Sequence, residues 1–393
     1  MTLPRRRRLA SLAAIVALIG LAAPAHAVSP RPTPDAGASI SSASSGEPRF
    51  VSGNRGSGVQ RRAIPGTSQK PGNNPTQRPS VGDDAKLLPF GERSFYTQDV
   101  SKAPLASDSA ALADNLRGQV VSRYNGVAAF NAKQYNITFY RAKPSTPRIK
   151  VGWSNCFNFT WTPKHLFDGH KYFVDVPVPT DAVPAVGTDS SMSIYDPATD
   201  RSWEFWKMKK DPATGAWSAC WGGRIDDVRK AEGMFPAKFG VSAAGLSMAG
   251  GTISIEEARR GRINHAMYLA VGSARHFSTY SWPANRSDGF SDNPHTVMQG
   301  QRIRLDPTLD LDQYKLTRVG RAIAEAAQKY GFIVSDKGGA VAVIAESGEP
   351  EKQRTGADPW NSILEVKTYE VLRNFPWDKI QVLPKDYGKP VSP

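Results

Sequence analysis

The feature that most constrains the fold of this chain is a run of three predicted β-strands between Ser191 and Arg224. Aromatic residues recur through Ser191 to Asp196, Arg201 to Lys210 and Ala216 to Arg224. The sequence Asp-Pro-Ala-Thr separates these segments twice, beginning at Asp196 and again at Asp211. Asp and Pro favour tight turns, and aromatic residues favour strands. The three segments therefore predict an antiparallel meander.

Counting across the first turn of the meander divides its side chains between two faces. If the turn places Asp196 opposite Arg201, then Ile194 faces Trp203 and Ser193 faces Glu204. One face is apolar and suits a core: Met192, Ile194, Trp203 and Phe205. The other mixes hydroxyl, carboxylate and aromatic groups: Ser193, Tyr195, Ser202, Glu204 and Trp206. A slip of one residue in register would exchange the two faces.

The rest of the chain also favours strands over helices. Further strands are predicted over Tyr135–Arg141, Tyr172–Val178 and Arg262–Val271, with a hairpin of Phe332–Ser335 and Ala340–Ala345. Helices are predicted after a capping box at Ser254, over Thr317–Tyr330 and over Ser362–Arg373. We expect an all-β fold, an antiparallel β-sandwich or jelly roll with two or three peripheral helices, forming a single domain over 85–393.

The N-terminal region has the composition of an export signal followed by a linker. Arg5 to Arg8 precede an apolar run, Leu9 to Ala23, and small residues at Ala25 and Ala27 flank a cleavable bond. We interpret residues 1–27 as a signal peptide, with an uncleaved anchor as the alternative. Residues 28–84 are rich in Ser, Pro, Gly and Asn and predict a disordered linker. The expected location is extracellular or in the cell envelope, with no membrane span in the mature protein.

Two cysteines, Cys156 and Cys220, lie in the part of the chain that would be exported. An oxidising compartment favours a disulfide between them, and two separate buried thiols are the alternative. Neither has a nearby Cys-x-x-Cys partner, so we expect no cysteine-bound metal. The sequence contains no P-loop or dinucleotide fingerprint, and we expect no cofactor.

The formal net charge of +14 suits contact with anionic envelope polymers, or solubility alone. Export and the lack of a nucleic-acid-binding motif argue against a nucleic-acid partner. The oligomeric state is left open.

The mixed face of the meander has the composition of a sugar-binding groove. Aromatic rings pack on the apolar faces of sugars, while carboxylates bond their hydroxyl groups. Glu204 is accordingly a candidate catalytic carboxylate, with Tyr195 and Trp206 as binding residues. The alternative is an ordinary solvated sheet face.

A second group of candidates follows the capping box. His265 is a candidate general base, although its apolar neighbours also fit a core histidine. Arg262 and Tyr268 are candidate binding residues, and Arg224 could neutralise a substrate carboxylate. Asp288, in the long loop from Trp282 to Gln299, would provide a second carboxylate if that loop folds over the groove.

Three stretches resemble segments of known proteins: Gly261-Arg262-Ile263-Asn264-His265-Ala266, Arg304 to Asp310, and Ala324 to Gly331 leading to Asp336-Lys337-Gly338-Gly339. Together they resemble a group of uncharacterised secreted bacterial proteins, common in actinobacteria, over roughly Lys150 to Glu346. The group usually has an acidic residue at the position of Asn264, so the amide argues against a catalytic carboxylate there. The resemblance implies a bacterial exported protein and no particular activity or cofactor.

These observations predict a secreted protein that interacts with a polysaccharide or a cell-envelope glycan. A polysaccharide hydrolase or lyase is one hypothesis. A non-catalytic glycan-binding or structural envelope protein is the other, and the sequence does not decide whether the chain is an enzyme. An enzyme should gather titratable groups with shifted pKa values, whereas a binding protein should offer a shallow aromatic strip.

Overall fold

A computed structural model describes residues 85–391. The predicted signal peptide (1–27) and linker (28–84) lie outside the described residues. The described strands, in chain order, are β1 (Ala129–Asn131), β2 (Ile137–Arg141), β3 (Arg148–Ile149), β4 (Gly152–Trp153), β5 (Val176–Pro177), β6 (Ser191–Asp196), β7 (Arg201–Trp206), β8 (Lys209–Lys210), β9 (Trp217–Ala219), β10 (Trp221–Ile225), β11 (Met267–Val271), β12 (Arg302–Leu305), β13 (Phe332–Lys337), β14 (Ala342–Ile344) and β15 (Ile380–Val382). The α-helices are α1 (Ser109–Val121), α2 (Met248–Gly251), α3 (Ile255–Arg260), α4 (Arg318–Lys329), α5 (Glu349–Thr355) and α6 (Trp360–Ile363). Short 3-10 helices span Tyr124–Gly126, Leu311–Gln313, Thr368–Glu370 and Trp377–Lys379.

The antiparallel order predicted for the meander is confirmed for β6, β7 and β10, which form most of a four-stranded sheet, here called the second sheet. The predicted strand Arg201–Lys210 divides into β7 and β8, and Ala216–Arg224 divides into β9 and β10. The strand order of the second sheet is β10-β7-β6-β2. Asp196 pairs with Arg201, Ile194 with Trp203 and Ser193 with Glu204, as the count across the turn predicts. The strand β2 joins the edge in parallel to β6.

The large sheet contains six strands in the order β1-β14-β11-β13-β12-β15. Its β1–β14 and β11–β13 pairs are parallel, and its remaining pairs are antiparallel. An isolated bridge between Ile137 and Glu346 links its edge region to the second sheet. The fold is therefore sheet-rich with few helices, but the sheets are mixed, and the expectation of a purely antiparallel arrangement is not met.

Side-chain alternation assigns the two faces of the large sheet to different hydrophobic clusters. Met267, Leu269 and Val271 of β11 join the cluster that contains α1 and α4. Tyr268 and Ala270, which alternate with them, face the other way with Met248 of α2. Successive strand residues point to opposite faces, so a fully buried strand carries apolar residues on both.

The helix α4 matches its prediction in bounds and in packing. The Thr317 side chain accepts a hydrogen bond from the Gly320 amide and caps the first turn. Val319, Ile323 and Ala327 are buried against the large sheet. Gly331 follows the helix with φ +73°, which a residue with a Cβ adopts only at a cost.

Several predicted elements are wrong, because pairing between segments distant in sequence determines the secondary structure there. The strands β13 and β14 form no hairpin, since β11 lies between them and pairs with both. The strand predicted from Arg262 begins only at Met267. The predicted Ser362–Arg373 helix is replaced by the single turn of α6 and a 3-10 turn.

The helix α1 was missed by the sequence analysis. Its buried residues Leu112, Leu116 and Val120 recur at four-residue spacing, which is the only signal of the buried face.

Candidate functional site

Glu204 lies in the interior of the protein. Its side chain has no exposed surface. Its oxygens accept hydrogen bonds from the Ser247 hydroxyl at 2.7 Å and from the Met248 and Ala249 amides at 3.0 Å each. These donors belong to the first turn of α2, so Glu204 satisfies amides that the helix itself leaves unpaired. The expectation that this face of the meander is open to solvent is wrong, because every residue of β6 is buried. We no longer propose Glu204 as a catalytic residue.

His265 is a buried partner of a helix cap. Its Nε2 lies 3.1 Å from the Glu257 carboxylate, and its Nδ1 lies 3.0 Å from the Ala266 carbonyl oxygen. Glu257 also completes the capping box of α3 with Ser254. Burial opposes the charge on His265, but the Glu257 carboxylate outweighs it and raises the histidine pKa. His265 is 2% exposed, so the structure supports the core-histidine alternative.

Three candidate binding residues have local structural partners. Tyr195 is fully buried and donates to Asp200 at 2.8 Å. The Arg224 guanidinium binds Asp226 through two hydrogen bonds of 2.8 and 3.1 Å. Arg262 is exposed and donates to the Asn264 side chain at 3.1 Å. The structure does not bring these residues together.

Tyr268 and Asp288, in contrast, both interact with Asp336: Tyr268 by a hydrogen bond, and Asp288 through its charge. The buried Tyr268 hydroxyl donates to Asp336 Oδ2 at 2.8 Å. The Asp336 Oδ1 accepts from the Lys337 amide at 2.9 Å. Asp288 accepts a short hydrogen bond of 2.5 Å from Gln299 Nε2, and its own amide donates to Gln299 Oε1 at 2.9 Å. Tyr268, Arg286, Asp288, Gln299 and Asp336 are here called the carboxylate site.

Arg286 is the positively charged member of this site. Its guanidinium donates to the carbonyl oxygens of Gly240, Ser242 and Ala243 at 2.7 to 3.2 Å. Its Nη1 atom is buried and has no hydrogen-bond partner among the described residues. Burial lowers the pKa of Arg286 to about 10, a value at which it stays charged at neutral pH.

Different neighbours act on the pKa values of the two carboxyl groups of the site. Burial, and then the nearby charge of Asp288, raise the pKa of Asp336 to about 8. Burial also raises the pKa of Asp288, but Gln299, Lys337 and Arg286 all act in the opposite direction. Both side chains retain partial solvent exposure. At neutral pH Asp336 is therefore protonated, which is the form that a general acid needs.

Two separate parts of the chain build the carboxylate site. Tyr268 lies in β11 and Asp336 near the end of β13. Tyr268 pairs with Ile333, and Asp336 pairs with Ala270, two residues along the same face from Tyr268. Arg286 and Asp288 come from the loop after Trp282, which is fixed by a bond from the Asn285 amide to the Ala244 carbonyl at 3.0 Å. The hypothesis for Asp288 required its loop to fold over a groove lined by Glu204, and that condition is not met because Glu204 is buried. Asp288 instead interacts electrostatically with Asp336.

Trp206 stands at the end of a row of aromatic side chains. Its ring is partly exposed, and its Nε1 donates to Asp189 at 2.9 Å. Asp189 in turn contributes to the raised pKa of Asp336. The Phe157 ring stacks on Trp206 with centroids 6.0 Å apart. Trp206 is therefore held between the Phe157 ring and Asp189.

Other features of the described residues do not coincide with this site. A cavity of about 310 Å³ lies near Leu105, Arg275 and Met298, and none of the residues of the carboxylate site line it. His165 and His170 pack ring against ring at 4.7 Å. Within residues 85–391 no three His, Cys, Asp or Glu side chains are grouped to hold a metal ion. No helix in that range has the length and apolar character to cross a bilayer.

The disulfide between Cys156 and Cys220 is confirmed. It joins the loop before β5 to the junction of β9 and β10. The fold and site thus define a disulfide-linked, sheet-rich protein with one carboxyl group, Asp336, on its large sheet and a second, Asp288, in a loop that interacts with it electrostatically. Comparison with protein-family models, with curated proteins and with solved structures gave no match in any of the three.

Proposed function

We propose that this chain is an exported enzyme that hydrolyses a polysaccharide or a cell-envelope glycan at the carboxylate site. The observation that carries the proposal is the partly exposed Asp336 carboxyl group, which accepts from the Tyr268 hydroxyl at 2.8 Å and interacts electrostatically with Asp288. Burial and the charge of Asp288 keep Asp336 protonated at neutral pH. The export signal in the sequence and the disulfide support a location outside the cytoplasm.

In the proposed reaction Asp336 is the general acid. Its proton passes to the glycosidic oxygen as the bond to the anomeric carbon breaks. Asp288 stabilises the positive charge that develops at that carbon, and it either takes a proton from the attacking water or bonds the carbon directly. After the first step Asp336 is ionised, and the Tyr268 hydroxyl and the Lys337 amide stabilise its charge.

Arg286 has a positioning role in this scheme. Its guanidinium is fixed by three backbone carbonyl groups, and its charge acts on both Asp288 and Asp336. This fixed positive charge favours the ionised form of Asp288 and so opposes the effect of burial on the Asp288 pKa. The Arg286 Nη1 atom is a hydrogen-bond donor that has no partner among the described residues.

The test measures hydrolysis by the wild-type chain and by Asp336→Asn and Asp288→Asn. The substrates are soluble and insoluble polysaccharides and purified cell walls, with reducing-end release and absorbance at 235 nm as readouts. We expect reducing ends without new absorbance, and a loss of roughly 10²- to 10⁴-fold in each variant. The wild-type rate should fall above about pH 8 as Asp336 loses its proton.

Asp292→Asn is the matched control, since Asp292 is exposed and lies in the same loop as Asp288. It should retain full activity. Wild-type hydrolysis that survives both site variants would refute the assignment of the residues. Double-bond products would indicate a lyase, and no products from any substrate would favour the non-catalytic alternative.

A further inference from the structure

A row of aromatic rings extends from Trp206 along the segment that contains Cys156. Phe157 stacks on Trp206, Phe159 lies 5.5 Å from Phe157, and Trp161 stacks on Phe159 at 5.1 Å between centroids. Trp161, at the far end, is 48% exposed. Trp206, Phe157, Phe159 and Trp161 are here called the aromatic strip.

The segment that carries the strip is held in one conformation. The Asn155 side chain both accepts from the Phe159 amide and donates to the Phe159 carbonyl oxygen, each at 2.9 Å. Cys156 is bonded to Cys220, whose amide donates to the Trp206 carbonyl oxygen at 3.0 Å. Rings fixed in this way lose little conformational freedom when a ligand binds.

The segment that carries Phe157, Phe159 and Trp161 is polar but uncharged, and the charged groups lie at the Trp206 end of the strip, where Lys207 Nζ is 4.5 Å from the ring centroid and Asp189 accepts from Nε1. No Asp, Glu, Lys or Arg occurs from Trp153 to Pro163. Ser154, Asn158, Thr160 and Thr162 are exposed and alternate with the aromatic positions. Aromatic faces beside hydroxyl and amide groups are what a neutral pyranose needs, because its C–H faces pack on rings and its hydroxyls need polar partners.

We propose that the aromatic strip binds a segment of the glycan chain that the enzyme cleaves. This inference rests on the proposed function, and it adds that the substrate is a polymer. The strip ends at Trp206, whose Nε1 donates to Asp189.

The test measures retention of the full chain on insoluble cellulose, chitin, xylan and purified peptidoglycan. The variants are Trp161→Ala, Phe159→Ala and the inactive Asp336→Asn. Loss of one ring should weaken binding about three- to tenfold on the polymer that retains the wild type. Tyr369→Ala is the matched control, because Tyr369 is an aromatic residue that is 62% exposed outside the strip. The control and Asp336→Asn should bind as tightly as wild type.

A second measurement uses hydrolysis of that polymer and of its short oligosaccharides. Trp161→Ala should raise KM for the polymer and leave the short substrates unchanged. Unchanged retention of Trp161→Ala, or no retention of the wild type on any of the four polymers, overturns the proposal. Binding to phosphatidylglycerol vesicles that needs Trp161, without retention on a glycan, overturns it as well. Retention that depends on Trp161, without any hydrolysis, would support glycan binding by the aromatic strip and refute the proposed enzymatic activity.

Discussion

Replacing Glu204 by Gln tests whether this buried carboxyl group stabilises the fold or performs chemistry. The carboxylate accepts three hydrogen bonds from Ser247, Met248 and Ala249. A glutamine keeps the shape but turns an NH₂ group toward donors, so at least one of them loses its partner. An unsatisfied buried donor costs about 1–3 kcal/mol. Near pH 5 the Glu204 carboxyl group is itself protonated, since its pKa is about 7, but its hydroxyl oxygen still accepts a hydrogen bond where an NH₂ group cannot. We therefore expect the variant to be destabilised by that amount near pH 5.

The same substitution should change the pH dependence of stability. Burial raises the pKa of Glu204 from 4.5 to about 7. The folded state therefore binds more protons than the unfolded state over this interval, and the free energy of unfolding falls as the pH rises. The full effect is about 3 kcal/mol, at roughly 1.4 kcal/mol for each tenfold change in proton affinity. Glutamine does not titrate, so the difference between wild type and variant should shrink between about pH 5 and pH 8.

The assay is urea unfolding followed by tryptophan fluorescence at several pH values, with hydrolysis measured on the folded protein. Glu92→Gln, at an exposed position, is the control and should follow the wild type at every pH. A constant difference between Glu204→Gln and wild type across the pH range would refute the titration argument. Lost hydrolysis with unchanged stability would return Glu204 to the catalytic site.

Two further predictions concern the disulfide and the buried ion pair. Replacing Cys156 and Cys220 by Ser removes a link across 64 residues. The free energy of unfolding should fall by about 4 kcal/mol in the chain-entropy model, as measured by urea unfolding. Wild-type protein treated with reductant is the control and should match the variant. His265→Leu leaves the Glu257 carboxylate buried without its partner and should lower the free energy of unfolding by about 3–5 kcal/mol. The double variant with Glu257→Gln should recover part of this loss. If the effects of the two substitutions on thermal unfolding simply add, the two residues do not interact directly.

The sequence could predict the parts of the fold that local pairing determines. The register of the meander follows from its turn, and the capping box at Ser254 and the cap at Thr317 follow from residues within one helical turn. The disulfide follows from two cysteines in an exported chain. None of these depends on what packs above the element. The exposure of the Glu204 face does depend on it, and α2 covers that face.

Of the carboxylate site, the sequence pointed to Tyr268 and Asp288 but not to Asp336, because the surroundings of Asp336 depend on nonlocal packing. Asp336 lies in a segment, Asp336-Lys337-Gly338-Gly339, whose composition is typical of a hairpin turn. A hairpin would place Asp336 in solvent, with no reason for a shifted pKa. Instead β11 inserts between β13 and β14, and this parallel pairing brings Asp336 to Tyr268. Burial there, together with Asp288 from a distant loop, is what raises the pKa of Asp336. The raised pKa of Asp336 therefore depends on the order of the strands in the sheet, which the hydrophobic periodicity of the sequence does not reveal.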